Sequence, residues 1–178
     1  EILNDMAMSD DAELHVEAAI QFAKICHSTG HYQDGIDRLE VYCPEETCSF
    51  DPSGRHFSNA LQVVDTLIDL ARASGNYDLA NQRYRLRIKC YEHVNASSDT
   101  EGHFKGYLQS RWDYARALHE QGQYSQSRTE FLSVLDAFES QTHFLDFQQS
   151  LLIEYAQICA ANGSSVDVME LIRRAEAV

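Results

Sequence analysis

One recurring tripeptide constrains this chain more than any other feature. Gly30-His31-Tyr32, Gly75-Asn76-Tyr77 and Gly122-Gln123-Tyr124 carry it, with a degenerate copy at Gly163-Ser164-Ser165, and the four glycines lie 45, 47 and 41 residues apart. Self-similarity at such a period marks an array of stacked supersecondary units. Each glycine is preceded by apolar residues at three- and four-residue steps, the signature of a helix with one buried face. These are Ala19, Phe22, Ala23 and Cys26, then Val64, Leu67, Ile68 and Ala71, then Tyr114, Ala115 and Leu118, then Leu152, Tyr155, Ala156 and Cys159. A second helical pattern follows each one: Ile36, Leu39 and Tyr42; Ala80, Tyr84 and Ile88; Phe131, Val134 and Leu135; Val168, Leu171 and Ala175. Glycine supplies the left-handed residue that stops the first helix. The aromatic two residues later is expected to plug the angle between the two helices.

Small residues recur where paired helices must approach closely. Ala23, Ala115 and Ala156 share one place in three first helices, and Gly35, Ala80 and Ser127 share another in the second helices. One such hairpin cannot bury its apolar face alone, whereas stacked hairpins share a continuous core. The fold class expected is all-α, an α-α superhelix of about four hairpins over residues 12–43, 57–94, 104–140 and 145–178. Connectors take up the remaining length: Cys43 to His56 with both prolines, the Ser- and Asp-rich stretch Asn95 to His103, and Gln141 to Phe144. The whole of residues 1–178 reads as a single repeat domain, expected to be a segment of a larger protein.

The stretch Ala115-Arg116-Ala117-Leu118-His119-Glu120-Gln121-Gly122-Gln123-Tyr124, and Gly75-Asn76-Tyr77-Asp78-Leu79-Ala80 with Tyr84, resembles the tetratricopeptide repeat. The period exceeds the usual ~34 residues and is similar to the long-loop variant of kinesin light chains. The resemblance spans about residues 12–178 and implies a protein-interaction scaffold whose concave surface is built from the first helices. On that surface it would place Glu17, Gln21 and Lys24, then Gln62, Asp65, Asp69 and Arg72, then Gln109, Trp112, Asp113, Arg116 and Glu120, then Glu154 and Gln157. Trp112, Arg116 and Asp69 are the expected hot spots, although a buried Trp112 is the commoner fate of such a residue. Asp65 and Asp69 stand where a carboxylate clamp would need cations, which disfavours an acidic C-terminal peptide as ligand.

Charge narrows the partners. The chain has 28 acidic residues against 14 Lys and Arg, a net charge of −14. Binding nucleic acid needs a basic face to neutralise phosphates, so DNA and RNA are excluded as expected partners. Up to Gly54 there are 12 acids and 2 bases, while Arg55 to Glu101 carries 6 of each. That imbalance suggests steering toward a basic protein or peptide partner, beside the simpler reading of a surface that is merely soluble. No apolar run approaches the roughly 18 residues needed to span a bilayer.

Catalytic signatures are missing: there is no phosphate-cradling glycine loop, no Gly-x-Ser-x-Gly elbow and no His-Glu-x-x-His. The expectation is a protein that is not an enzyme and takes no cofactor or metal. Five cysteines make no disulfide framework. Cys26, Cys90 and Cys159 read as small core residues. Cys43 and Cys48 share a loop. A local bridge, or metal ligation with His31 and His56, stands open beside the simpler reading of two unrelated thiols, which their loose spacing favours. Cytoplasm or nucleus is the compartment this cysteine usage fits. The second expectation for function is a structural or self-association domain, a homo-oligomer formed through an uncapped C-terminal face at Leu171 and Ile172.

Overall fold

The structure, a computed structural model, describes residues 10–44, 55–97, 101–138 and 145–161, together with positions 168, 171 and 173. Seven α-helices account for nearly all of these residues, with no strand among them: α1 (Asp10–Thr29), α2 (Tyr32–Glu40), α3 (Arg55–Ala73), α4 (Tyr77–Ser97), α5 (Glu101–Glu120), α6 (Tyr124–Phe138) and α7 (Leu145–Ala161). The chain divides into two compact units, residues 1–122 and 123–178, with the division at the third repeated glycine.

The glycines act as the sequence requires. Gly30, Gly75 and Gly122 have φ of 80°, 76° and 75°, values an L side chain adopts only at a cost. At the end of α3 the Gly75 N–H donates to the Arg72 carbonyl at 3.0 Å and the Asn76 N–H to the Ala71 carbonyl at 2.8 Å. That pair is a Schellman motif, which satisfies carbonyls the helix end would leave open. His31 N–H to Cys26 carbonyl, at 2.9 Å, closes α1 in the same way. Asn76 then caps α4, its Oδ1 accepting from the Leu79 N–H at 3.2 Å.

The tyrosines that follow behave differently from expectation. Tyr32 is half-buried against the first core cluster, but Tyr77 and Tyr124 are largely in solvent. Both stand at the first position of their helices. The backbone bonds already close the turn, so no ring is needed to plug it.

In the first unit, α1 packs on α2, both pack on α3, α3 packs on α4, and α4 packs on α5. Val16, Ala19, Ile20 and Ala23 of α1 and Ile36 and Leu39 of α2 form one cluster with Val63, Leu67 and Leu70 of α3. A second cluster joins Val64 and Ile68 of α3 to Tyr84, Leu86, Cys90 and Val94 of α4 and to Tyr114, Ala117 and Leu118 of α5. Helix α3 is thus apolar on two faces and lies in both clusters. Each fully buried Leu or Val contributes about 1.5–3 kcal/mol. The small residues mark the tight approaches: a Cβ at Gly35 would sit 3.1 Å from Cys26 Cβ and from Leu70 Cδ1. Gly106, which the repeat register does not single out, does the same for α5, where a Cβ would overlap the Tyr91 ring.

The connector expected over Asn95 to His103 is a correction. Helix α4 runs to Ser97 and α5 starts at Glu101. Val94, completely buried, anchors the last turns of α4. Tertiary packing of this kind overrides the weak local preferences of Asn and Ser. In the second unit α6 packs on α7, with Phe131 against Tyr155 at 4.6 Å between ring centroids and Phe138 edge-on to Phe147 at 5.5 Å.

Candidate functional site

Three helices of the first unit enclose a polar cleft of about 380 Å³. Helix α3 contributes Asp65, Ile68, Asp69 and Arg72, α4 contributes Tyr84 and Arg87, and α5 contributes Asp113, Arg116, Ala117 and Glu120. Three- and four-residue steps place each set on one helix face. Ile68 and Ala117 are buried and give the cleft an apolar floor. Its walls carry four carboxylates and three guanidiniums.

Arg87 is the centre of this arrangement. Its Nε lies 3.1 Å from Asp65 Oδ1 on α3, and its Nη1 donates to Asp113 Oδ2 on α5 at 3.1 Å. One guanidinium from the middle helix therefore ties two carboxylates on its neighbours. Asp113 is further held by Gln109, whose Nε2 donates to Oδ1 at 2.9 Å. The Asp65 contact is poorer. Although the Asp65 side chain is 47% exposed, its Oδ1 is buried, and neither that oxygen nor the Arg87 Nε has an aligned hydrogen bond. Burial pushes the Asp65 carboxyl above its ordinary range; Arg87 pulls it down, and the nearby Asp69 and Asp113 carboxylates push it up again.

Arg72 forms the second bridge. Its Nη2 meets Glu120 Oε2 at 2.6 Å, and its Nη1 donates to the Tyr84 hydroxyl at 3.4 Å. Burial works to lower the Arg72 pKa, but Tyr84 and Glu120 outweigh it and the net direction is upward. Burial raises the Tyr84 hydroxyl, so at neutral pH it is a neutral acceptor for Arg72. The Tyr84 ring leans on Tyr114 with centroids 5.8 Å apart. Half-exposed pairs such as Arg72–Glu120 contribute less than about 1 kcal/mol to stability. Asp69 is exposed at the mouth and makes no ion pair among the described residues.

The basic run of α4 is consumed by such ties. Arg83 Nη2 donates to both Glu40 carboxylate oxygens, at 2.8 and 2.6 Å. Arg85 Nε donates to the Tyr114 hydroxyl at 3.0 Å. Alternate arginines on one helix thus reach α2, α5 and, through Arg87, both α3 and α5.

Of the residues that the repeat resemblance placed in a groove, Asp65, Asp69, Arg72, Asp113, Arg116 and Glu120 line this cleft. Gln109 supports it from behind through Asp113. Gln62 is exposed on α3 but does not line it. Glu17, Gln21 and Lys24 are exposed on α1, with Gln21 Nε2 donating to Glu17 Oε1 at 2.6 Å, and they too stand outside the cleft. Glu154 is half-buried and Gln157 exposed on α7, in the second unit.

Two expectations are corrected. Trp112 is 0% exposed, so it is core and cannot meet a partner. Leu171 is 4% exposed, covered by its own chain rather than offered for self-association, and Ile172 lies outside the described residues. Cys26, Cys90 and Cys159 are buried and stand in no disulfide. Cys43 is half-buried and stands in no disulfide, while Cys48 lies outside the described residues. No group of three or more metal-ligating side chains occurs among the described residues. None of the helices described is long and apolar enough to cross a membrane.

The contribution of α4 to the cleft was not foreseen. Tyr84 had the spacing of a core residue, and it is buried, yet its hydroxyl meets Arg72 at the cleft wall. Arg87 was one member of a charge run with no visible partner. The available signal was the count: the neighbouring first helices carry Asp65, Asp69 and Asp113 on faces that need a cation between them. In comparison with known proteins, the chain matches no family model, no curated protein and no solved structure.

Proposed function

We propose that this chain is a tetratricopeptide-like α-α superhelix that works as a non-catalytic protein-interaction scaffold. It grips a segment of a partner in the cleft between α3, α4 and α5. No cofactor enters the proposal, and a reducing compartment such as the cytoplasm is where it operates. The observation that carries the reading is the cleft itself. An apolar floor is walled by charges that are mostly tied to one another, with carboxylates in excess and Asp69 exposed at the mouth.

Such a wall favours a segment presenting an apolar side chain to Ile68 and Ala117 and a Lys or Arg to Asp69. Preformed ion pairs keep the cleft rigid before binding, which limits the ordering cost on association. The partner is therefore a basic peptide or a basic loop of a protein.

A peptide array probed with the full chain tests this. Basic segments containing one large apolar residue should be retained, and Asp69→Lys should reduce their affinity roughly tenfold or more, the scale of losing one charge-assisted contact. Gln62→Ala, on the same helix but outside the cleft, should leave it unchanged. Retention of acidic peptides instead, or indifference to Asp69→Lys, would sink the proposal.

A further inference from the structure

The end of α3 carries an ion pair that its own sequence favours and the fold does not make. Asp69 precedes Arg72 by one helical turn on the same face, and an acid N-terminal to a base is the favourable order within a helix. Local chemistry therefore directs the Arg72 guanidinium back onto Asp69. In the structure it crosses instead to α5, where its Nη2 meets Glu120 Oε2 at 2.6 Å while its Nη1 donates to the Tyr84 hydroxyl at 3.4 Å. Asp69 is left exposed at the mouth of the cleft, with no ion pair among the described residues. Its charge still reaches Arg72: against the lowering effect of burial, the Arg72 pKa is raised by Tyr84, by Glu120 and then by Asp69.

Glu120 is held where it can win this competition. It is the last residue of α5, an unfavourable place for a carboxylate, because the helix macrodipole is negative at that end. The residue after it is pinned to α4. Asn81, which is buried, donates from Nδ2 to Gln121 Oε1 at 2.8 Å, and Gln121 Nε2 donates back to Asn81 Oδ1 at 3.1 Å. That reciprocal amide pair fixes the end of α5, and with it the place from which Glu120 reaches Arg72. The two pairings open to Arg72, on its own helix and across the cleft, are both exposed and both weak. One guanidinium between two such carboxylates leaves open whichever it does not hold.

We infer that Glu120 is a positioning residue: it draws Arg72 off Asp69 and so keeps Asp69 open for one basic side chain of a partner. The inference rests on the reading of the cleft as the seat of a basic segment. It adds that the mouth admits a single cation, since Arg72 already occupies the second carboxylate.

Two measurements on the full chain test it. In the chain alone, the Arg72 Nε–Hε resonance followed by NMR should move in Glu120→Gln and move again when Asp69→Asn is added, as the guanidinium passes first to Asp69 and then to solvent. Asp69→Asn by itself should leave it nearly in place. The second measurement is the affinity for a fluorescent probe peptide, one Leu and one Lys in a Gly- and Ser-rich chain, read by anisotropy in a double-mutant cycle. Glu120→Gln should weaken binding roughly threefold, the loss expected when a weak intrahelical pair occupies Asp69 for most of the time. In a chain that already carries Arg72→Gln, the same substitution should have little effect. Circular dichroism establishes that every variant is folded. An Arg72 resonance indifferent to Asp69→Asn in the Glu120→Gln chain overturns the inference whatever the peptide does. Equal losses on Glu120→Gln with and without Arg72 make Glu120 a distant charge only, which overturns the inference and leaves the reading of the cleft standing. A probe peptide that neither the parent nor any variant binds overturns both.

Discussion

The first and second hairpins are built on one register and differ in what surrounds them. Helices α1 and α3 both end at a left-handed glycine with the same 6→1 backbone bond. Yet α3 lies in two clusters, one with α1 and α2 and one with α4 and α5, while α1 lies in only the first of these. Their second helices differ as well. α2 is 9 residues long, with Gly35 pressed on Cys26 and Leu70, whereas α4 is 21 residues long and sends arginines to three other helices. The lesson is that the repeat pattern encodes faces, and the neighbour decides whether a face becomes core or surface.

The largest expected effect sets matched positions against each other. Leu67→Ala, at a completely buried site, should cost about 3–5 kcal/mol, the transfer loss plus the cavity left behind. Phe22→Ala, its register partner in α1, should cost about 1 kcal/mol or less despite removing a larger side chain, because half of that ring is already in water. Urea unfolding of both variants measures the difference. Equal losses would mean that α1's outer face is covered in solution.

A smaller contrast concerns how the second helices begin. Asn76 caps α4 through its side chain, while His31 at the corresponding place before α2 makes no such bond. Asn76→Ala should therefore cost about 0.5–1.5 kcal/mol, and His31→Ala only a few tenths. His31 does contact the Thr29 hydroxyl at 3.1 Å, an exposed interaction of little weight. Thermal melts of the pair would separate the two hairpins on this point, and a large loss at His31 would show that its turn depends on the side chain after all.

Much of the fold was legible because two signals reinforced each other. Glycine fixed the stops of α1, α3 and α5 through backbone sterics, and the apolar residues before it fixed which face was buried. Six residues now lining the cleft were legible too, since Asp65, Asp69 and Arg72 fall on one face of α3 and Asp113, Arg116 and Glu120 on one face of α5. Trp112 misled because it adjoins Asp113 in sequence, yet one residue turns about 100° around a helix, enough to pass from cleft wall to core. Phe22 misled for the opposite reason: its pattern was that of core, and its exposure depends on a neighbour rather than on its own helix. The role of Arg87 was hidden because a cation placed between two helices is a tertiary fact. Nothing within α4 distinguishes Arg87 from Arg83 or Arg85.

The smallest expected effect probes that arginine's unequal hold on its two carboxylates. Asp65 is the weaker partner, with a buried oxygen that lacks an aligned hydrogen bond and a pKa raised first by burial and then by the Asp69 and Asp113 charges. A carboxyl with a raised folded-state pKa binds protons more readily in the folded chain than in the unfolded one. Stability then falls as pH rises from the unfolded value, about 3.9, through the folded one. At neutral pH the ionised Asp65 is therefore a mild liability, kept small by its partial exposure. Asp65→Asn keeps the shape, leaves Arg87 its bond to Asp113, and removes the titration. The variant should melt slightly higher than the parent at pH 7, and that advantage should shrink as the pH falls toward 4, where the parent's carboxyl takes up its proton. If the variant instead melts lower at pH 7, the Arg87–Asp65 attraction outweighs burial, and the second hairpin's charges stabilise the fold rather than hold the cleft open for a partner.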